Sequence, residues 1–374
     1  MPITTATPNL AADATRFGSG HAVRRVEDDA LLKGEGRYTD DFAPAGVVRA
    51  CFVRSPYPHA RIQSIDASSA KAMPGVRAVV TGADLVAAGV KPMPHGIGFP
   101  RPDGKPAASP LRHLLAFERV RYVGEAVAMV VADTLQQARD AAEAIQVDYE
   151  DLPHVVTMDD ALTAGAPTLC DEAPDNICAA MKHGKADAAV AAFASAVHVV
   201  KLDITNQRVA ALSIEPRTVL AYPDADTGRL TMRMSTQMPT GVRNSVAALL
   251  GLAPDQMRVI VDDVGGGFGM KTGMYAEDGA VAYCAKLLQL PVKWVADRSE
   301  EFLTSYHGRD IQTHAELALA ADGKILALRV HSNANVGAYA TGTGAAIQLL
   351  IGPWVQTSVY DIQTIDFQFK AVLT

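Results

Sequence analysis

Val264-Gly265-Gly266-Gly267-Phe268-Gly269-Met270-Lys271 places four glycines within five residues, around one aromatic side chain. The apolar run Arg258-Val259-Ile260-Val261-Asp262-Asp263 precedes this glycine loop and predicts a strand. A segment opened by Glu277 and Asp278 follows and predicts a helix. Because so bare a backbone lets a ligand approach main-chain N–H groups, and ligands of α/β proteins often bind between a strand and a helix, the loop is a candidate binding site.

The glycine loop departs from two nucleotide-binding motifs. Lys271 and Thr272 supply the last two residues of a P-loop, but Met270 stands where that motif needs glycine. The dinucleotide fingerprint GxGxxG also fails, since neither frame has glycine at its last position. We therefore interpret the loop as a ligand cradle, with a structural turn and an imperfect P-loop as the alternatives.

Composition narrows the class of protein. A chain of 374 residues predicts two or three domains, and its net charge of −7 argues against a general nucleic-acid binder. The four cysteines show no CxxC spacing, so we expect neither a zinc site, an Fe–S cluster nor a disulfide framework. No apolar run is long enough for a membrane span, and residues 1–17 read as a flexible tail without a secretory signal, which favours a cytoplasmic location.

Strands and helices alternate along most of the chain, which predicts a mixed α/β fold. A first unit, 18–167, contains predicted strands at 47–54, 76–80, 126–131 and 147–150, and a helix at 134–145 capped by Asp133. Residues 168–189 are expected to be a linker. The second unit, 190–374, contains a helix from Pro239 to Leu250 and a hairpin turning at Asp322-Gly323.

Single polar residues give weaker signals. Gln237 ends a strand just before a helix and offers two donors and an acceptor, although such a glutamine is often only solvated. Asp262 and Asp263 point to opposite faces of a strand, so they do not easily share an ion. The acidic pair at 300–301 is expected in the first turn of a helix capped by Ser299. The isolated histidines are expected to be structural or exposed: His59, His154, His307 and His314.

Taken together, several segments resemble the molybdenum hydroxylase family, which includes xanthine dehydrogenase, aldehyde oxidoreductase and aerobic carbon monoxide dehydrogenase. More closely, the chain is similar to the molybdopterin-binding large subunit of the bacterial carbon-monoxide-dehydrogenase-like branch. By this resemblance the first unit is a hammerhead domain, and the second is the first part of a molybdenum-cofactor-binding domain. The resemblance rests on Gly34–Asp41, Arg54–Ala60, Tyr122–Glu125, Ser235–Gln237, Gly265–Lys271 and Asp297–Glu301.

The resemblance implies roles for a few residues. Gln237 matches a glutamine that contacts the cofactor near molybdenum, and Gly266, Gly267, Phe268 and Gly269 match a loop beside the metal that presents backbone N–H groups. Thr272 falls in the substrate pocket, where purine-oxidising relatives carry a glutamate, which argues against a purine substrate. An aldehyde or N-heterocycle is then favoured over carbon monoxide, with water as the oxygen source.

The resemblance also implies what this chain lacks. The segments with the substrate-facing arginine and the general-base glutamate would follow Thr374, so no catalytic residue is assigned within the chain. Either the large subunit is split into two polypeptides, or the gene is truncated. We expect a complementary C-terminal large-subunit chain, a [2Fe-2S] subunit and an FAD subunit as partners, and molybdopterin, in its cytosine dinucleotide form, with molybdenum. The alternatives are a non-catalytic cofactor-binding or assembly protein, or a nucleotide-binding protein that uses the loop before Lys271.

Overall fold

The computed structural model describes residues 25–374. Residues 25–37 belong to one unit and contain a short helix, α1 (Asp28–Leu32). Residues 38–374 form the other unit, to which everything below belongs. The tail predicted at 1–17 lies outside the described residues.

The larger unit combines strands and helices throughout, as the sequence predicts. Its helices are α2 (Ser68–Lys71), α3 (Gly82–Ala87), α4 (Leu135–Glu143), α5 (Met158–Leu162), α6 (Ala186–Ser195), α7 (Pro239–Leu249), α8 (Ala276–Leu288), α9 (Arg298–Thr304), α10 (Gly342–Ala346) and α11 (Gly352–Val355). Its strands are β1 (Val48–Arg54), β2 (Ala60–Asp66), β3 (Val76–Thr81), β4 (Arg119–Val120), β5 (Ala126–Ala132), β6 (Gln146–Asp151), β7 (Ile177–Gly184), β8 (His198–Asn206), β9 (Val209–Ala210), β10 (Thr218–Asp224), β11 (Arg229–Met234), β12 (Met257–Ile260), β13 (Val292–Val295), β14 (His307–Gly308), β15 (Ile311–Leu319), β16 (Ile325–Gly337) and β17 (Ile365–Leu373).

A seven-stranded mixed sheet, in the order β12-β11-β10-β13-β1-β5-β3, forms the centre of this unit. Its β1 and β13 run parallel, with Val48 opposite Val292, whereas β1 and β5 run antiparallel. Strands from both predicted units therefore share one sheet. Trp294 of β13 is buried and packs edge-to-face on Phe52 of β1, with ring centroids 5.4 Å apart.

Helix α8 packs against the seven-stranded sheet through small side chains. Most of the helix is buried and rich in alanine, which lets its backbone approach the sheet closely. At Gly279 a Cβ atom would lie 2.7 Å from the Leu114 side chain, so a larger residue there would displace Leu114. The helix begins at Ala276, close to the predicted start, and its position fixes the end of the glycine loop.

A five-stranded sheet, β7-β17-β16-β15-β8, lies further along the chain. Strands β15 and β16 form the hairpin predicted around Asp322-Gly323. Strand β7 falls within 168–189, the range expected to be a linker, and pairs antiparallel with β17. The apolar residues Ile177–Ala179 are buried there, which gives this segment a place in the sheet. Strand β8 is exposed along its whole length.

Two predicted helix caps are wrong by one or two positions. Thr134, not Asp133, caps α4 by accepting a bond from the Gln137 N–H, while Asp133 pairs with Arg77. Asp297, not Ser299, caps α9, accepting the Glu300 N–H at 2.8 Å. In both cases a neighbouring residue with an equally suitable side chain occupies the cap position. Within 25–374 no helix is long and apolar enough to cross a membrane.

Candidate functional site

The glycine loop connects β12 to α8 and takes a conformation that most side chains cannot adopt. Its backbone φ angles are +101° at Gly266, +52° at Phe268 and +85° at Gly269. A left-handed conformation is costly for an aromatic residue, and 76% of Phe268 is nevertheless exposed. Strain of this kind concentrates at ligand-binding segments, where surrounding contacts maintain it.

Gln237 holds the loop in this conformation from the end of β11. Its side-chain Oε1 accepts hydrogen bonds from the backbone N–H groups of Gly269 at 3.1 Å and Lys271 at 3.2 Å. A Cβ atom at Gly267 would lie 2.5 Å from the same oxygen. The predicted pair, a glutamine after the strand and a glycine loop, is therefore in direct contact.

Several hydrogen-bond donors of this site remain available to a ligand. Among the described residues, no acceptor contacts the backbone N–H groups of Gly266, Gly267 and Phe268. The Gln237 Nε2 donor likewise makes no bond to the described part of the chain. Successive free N–H groups form a site for electronegative oxygen, as in anion-binding nests. This donor set fits an oxygen-rich cofactor such as molybdopterin with its metal-bound oxygen atoms.

A buried polar cluster anchors both ends of the loop, and this cluster was not predicted from the sequence. Glu215 Oε2 accepts the Gly265 N–H at 2.8 Å and the Ser235 hydroxyl at 2.6 Å. The Lys271 ammonium donates to the Glu215 carbonyl at 2.9 Å and to Ser235 Oγ at 2.7 Å. Burial lowers the pKa of Lys271, an effect that the Glu215 carboxylate opposes. A glutamate followed by proline carries no motif that would have revealed this role.

Thr272 and Gly269 contribute to the wall of a cavity of about 580 Å³. The Thr272 hydroxyl donates to the Gly269 carbonyl at 2.8 Å. Gln237, Gly266, Gly267 and Phe268 do not line this cavity. Thr272, predicted for the substrate pocket, therefore lines a cavity next to the loop, whereas the residues with free donors do not line it. Tyr306 and Tyr339 also line the cavity, and no sequence motif predicted either of them.

An ionic network behind the cavity fixes the start of α8. Arg217 pairs with Glu277 at 3.2 Å and with Glu301 at 3.1 Å, and Arg54 pairs with Glu277 at 3.0 Å. Burial would raise the pKa of Glu277, but the guanidinium groups of Arg217 and Arg54 lower it to about 2. In neighbouring Asp278, which accepts the Tyr275 N–H, burial instead raises the pKa to about 7.

The histidines singled out in the sequence lie apart from the loop. His59 is buried, with Nδ1 2.7 Å from the Pro153 carbonyl, and burial lowers its pKa. His314 contacts Asp203 at 2.6 Å on the five-stranded sheet. Of the four histidines named from the sequence, His307 alone lines the cavity. All four cysteines, including buried Cys178 and Cys284, are free thiols.

Comparison with known proteins matches both parts of the chain to protein families. Residues 33–153 match the aldehyde oxidase and xanthine dehydrogenase a/b hammerhead domain, and residues 169–374 match the molybdopterin cofactor-binding domain. The fold expectation of a hammerhead domain followed by a cofactor-binding domain is confirmed.

Individual relatives agree with these matches. The carbon monoxide dehydrogenase large chain of Afipia carboxidovorans is 38% identical over 90% of this chain and 42% of its own length. The nicotinate dehydrogenase large molybdopterin subunit of Eubacterium barkeri is 30% identical, over 90% of this chain and 76% of the relative. The structure of reconstituted CO dehydrogenase from Oligotropha carboxidovorans superposes with a TM-score of 0.87 and 35% identity, over 95% of this chain and 44% of that one.

The chain thus spans less than half the length of the carbon monoxide dehydrogenase chains that it matches. The relatives, the two domain matches and the loop with its glutamine are mutually consistent. This chain belongs to the molybdopterin-binding large chains of the xanthine dehydrogenase and carbon monoxide dehydrogenase family, the molybdenum hydroxylases.

Proposed function

We propose that this chain is part of the large subunit of a molybdenum-dependent hydroxylase that acts on an aldehyde or N-heterocycle, with water as the oxygen source. The observation that carries the proposal is the set of free donors at the glycine loop, namely three successive backbone N–H groups and Gln237 Nε2. When bound, the cofactor supplies a molybdenum centre that takes electrons from the substrate. The preference for an aldehyde or N-heterocycle over carbon monoxide rests on the family resemblance, and Thr272, in place of glutamate, argues against a purine.

In this proposal the residues of this chain bind the cofactor and orient the substrate. Gln237 Nε2 and the backbone N–H groups of Gly266, Gly267 and Phe268 hold the cofactor. Gly269, whose N–H is bonded to Gln237 Oε1, supports the path of the loop, and Thr272 lies in the substrate pocket. Preorganised donors of this kind stabilise negative charge that develops on oxygen. We assign no general base to this chain, and the substrate-facing arginine and the glutamate base would come from a complementary segment.

A complementary C-terminal chain and two redox subunits, one with [2Fe-2S] clusters and one with FAD, are the proposed partners. Strand β17 pairs with β16 as far as Leu373 opposite Gly337, and Gly337 lines the cavity. Polypeptide packed against this end of β17 would be in place to supply groups to the cavity. We further propose the cytosine dinucleotide form of the cofactor, a cytoplasmic location, and two domains at 18–167 and 190–374.

The nucleotide-binding alternative is weakened by the position of Lys271. In a P-loop this lysine reaches the phosphates of the nucleotide. Here only 1% of the Lys271 side chain is exposed, and its ammonium is bonded to Glu215 and Ser235. Freeing it would leave Glu215 buried without its cation, which is costly. Tight ATP binding that is lost in Lys271→Ala would favour this alternative again.

Molybdenum and pterin content tests the proposed function. The protein is purified with its accompanying chains, and both are assayed per chain in the wild type, in Gln237→Ala and in the control Gln136→Ala, on the exposed face of α4. We expect Gln237→Ala to lose molybdenum about tenfold or more under limiting supply, as when a residue supporting a metal site is removed. The control should match the wild type. Wild-type protein without molybdenum, even with the complementary chain present, would reject the proposal.

A further inference from the structure

The cavity beside Thr272 has a one-sided charge. Arg112, Arg208, Arg309, His95 and His307 line it, and none of the lining residues is aspartate or glutamate. This asymmetry occurs in a chain with 41 acidic and 34 basic residues. A cleft lined by one sign of charge concentrates ligands of the opposite sign.

Arg112 is the deepest of these cationic groups. Only 8% of the residue is exposed, yet none of the residues in 25–374 places a carboxylate within 4 Å of its guanidinium. Its hydrogen bonds go to two neutral phenols, Tyr306 at 3.1 Å and Tyr122 at 3.5 Å. The guanidinium also faces the rings of Tyr306 and Tyr339, at 5.7 and 5.4 Å from the centroids.

The nearest acidic side chains are already engaged elsewhere. Glu125 accepts the Tyr339 hydroxyl at 2.8 Å and the Arg121 N–H at 2.6 Å, and burial raises the pKa of this carboxyl group. Glu277 is held between two other arginines of the ionic network. Neither carboxyl group forms an ion pair with Arg112.

The remaining cationic residues of the cavity differ in whether a nearby carboxylate neutralises their charge. Arg208 pairs with Asp310 at 2.7 Å. Arg309 is exposed at the cavity and makes no ion pair or side-chain hydrogen bond with the part of the chain that the structure describes. Burial lowers the pKa of His307, which disfavours the charged form of its ring. The uncompensated charge of the cavity therefore comes from Arg112 and Arg309.

We propose that this cavity binds the carboxylate of an aromatic or heteroaromatic acid substrate, with Arg112 as the residue that binds the carboxylate and Arg309 as a second cation. A guanidinium presents paired donors that match a carboxylate, and it is less costly to bury once an anion contacts it. The rings of Tyr306 and Tyr339 offer flat apolar surface to a planar ligand. Calling the ligand a substrate rests on the proposed function.

Paired ligands that differ in charge but not in shape test this inference. Binding of benzoate and benzamide to the purified protein, with its accompanying chains, is measured by titration calorimetry at pH 7. We expect benzoate to bind about tenfold more tightly or better, because a hydrogen bond to a charged group is worth more than one to a neutral group. Equal binding of the two ligands, or binding of neither, would overturn the inference.

Variants connect the preference to particular residues. Arg112→Gln should lower the ratio of benzoate to benzamide affinity about tenfold. Arg309→Gln should lower this ratio about threefold, because Arg309 lies in a more exposed position. The exposed Arg139→Gln on α4 is the matched control and should leave the preference unchanged. If Arg112→Gln does not fold, Arg112→Lys, which keeps the charge but loses the paired donors, should still weaken benzoate binding. An unchanged preference in both Arg309→Gln and the folded Arg112 variant would contradict the assignment.

The molybdenum assay separates this inference from the proposed function. Protein that lacks molybdenum but still prefers benzoate would reject the proposed function and leave the carboxylate site intact. Protein that holds molybdenum but shows no preference would reject only the carboxylate site. If loading with cofactor abolishes a preference seen without it, the cavity holds the cofactor's phosphate instead, and the inference is wrong.

Discussion

Gly267 shows how a single hydrogen atom sets the geometry of the candidate site. Its Cα lies so close to Gln237 that a methyl group would overlap the side-chain amide. The same glutamine bonds the loop two and four residues further on. Substitution at this one position therefore alters both the path of the loop and the direction of its free N–H groups.

We expect Gly267→Ala to displace Gln237 and to lose most of the bound cofactor. Overpacking of a well-fitted contact also costs about 1–3 kcal/mol in free energy of unfolding. Molybdenum content and thermal unfolding measure the two effects. Gly98→Ala, where a methyl group meets nothing within 4 Å, is the control and should retain both cofactor and stability. Full cofactor content in Gly267→Ala would show that the loop tolerates displacement.

At the scale of a secondary-structure element, buried ion pairs hold the first turn of α8 in place. Glu277 lies in its first turn and contacts Arg54 of β1 and Arg217 near β10, so the helix is tied to two strands of the central sheet. Removal of one partner from such a network leaves the others buried without compensation. The start of α8, and with it the end of the glycine loop, depends on this network.

Glu277→Gln should destabilise the protein by about 3–5 kcal/mol at pH 7, because two buried guanidinium groups lose their shared carboxylate. The pKa of Glu277 is lowered to about 2 on folding. Its stabilising effect is therefore present above the unfolded pKa, near 4.3, and is lost as pH falls toward 2. Denaturant unfolding of wild type and variant at pH 7 and pH 3 should show a smaller difference at the lower pH. A gap that does not change with pH would show that the carboxylate charge is not the cause.

Exposed Glu150, which contacts Arg61 at 3.3 Å, provides the comparison for this variant. Glu150→Gln should change the free energy of unfolding by less than about 1 kcal/mol at either pH, since solvent screens exposed pairs.

Two residues were candidates for the N-cap of α9: Ser299, predicted from the sequence, and Asp297, found in the structure. Asp297 accepts the Glu300 N–H, whereas Ser299 lies inside the helix. Asp297→Ala should cost about 1 kcal/mol in stability, and Ser299→Ala should cost less or nothing. Thermal unfolding of the two variants decides the matter. A larger loss in Ser299→Ala would restore the cap predicted from the sequence.

Local patterns predicted the elements of this fold better than their arrangement. The helix from Pro239, the hairpin at Asp322-Gly323 and the strand at 126–131 are confirmed within one or two residues. These segments have strong periodicity or strong turn residues. The pairing of β1 with β13 was not foreseen, because partners so distant in sequence leave no local pattern.

In the candidate site, too, the features with a local sequence pattern were predicted and those without one were not. The family resemblance predicted that Gln237 and the glycine loop both contact the cofactor, and both are visible as motifs. The hydrogen bonds between them were not predicted. The roles of Glu215 and Arg112 were not expected, because an isolated charged residue reads as an exposed one until its burial is known. Tertiary packing alone reveals such residues.

At the scale of the whole molecule, protection of backbone amides should follow burial and position in the sheets. Every residue of β5 is buried between two neighbouring strands, whereas β8 is exposed and lies at a sheet edge. We expect amides of β5 to exchange with deuterium only through global unfolding, and those of β8 to exchange through local opening. Hydrogen exchange followed by mass spectrometry measures both, and equal protection of the two strands would contradict this ranking.

The parallel pairing of β1 with β13 has a consequence for synthesis on the ribosome. One edge of β1 stays unpaired until Val292 has been synthesised and can pair with Val48. The other edge pairs with β5, which is synthesised much sooner. At a translation rate of about 5–20 residues per second, the roughly 240 intervening residues keep the edge open for about 12–50 seconds. An unpaired apolar strand edge can associate with other nascent chains, so we expect β1 to be the segment most exposed to such association until β13 has left the exit tunnel.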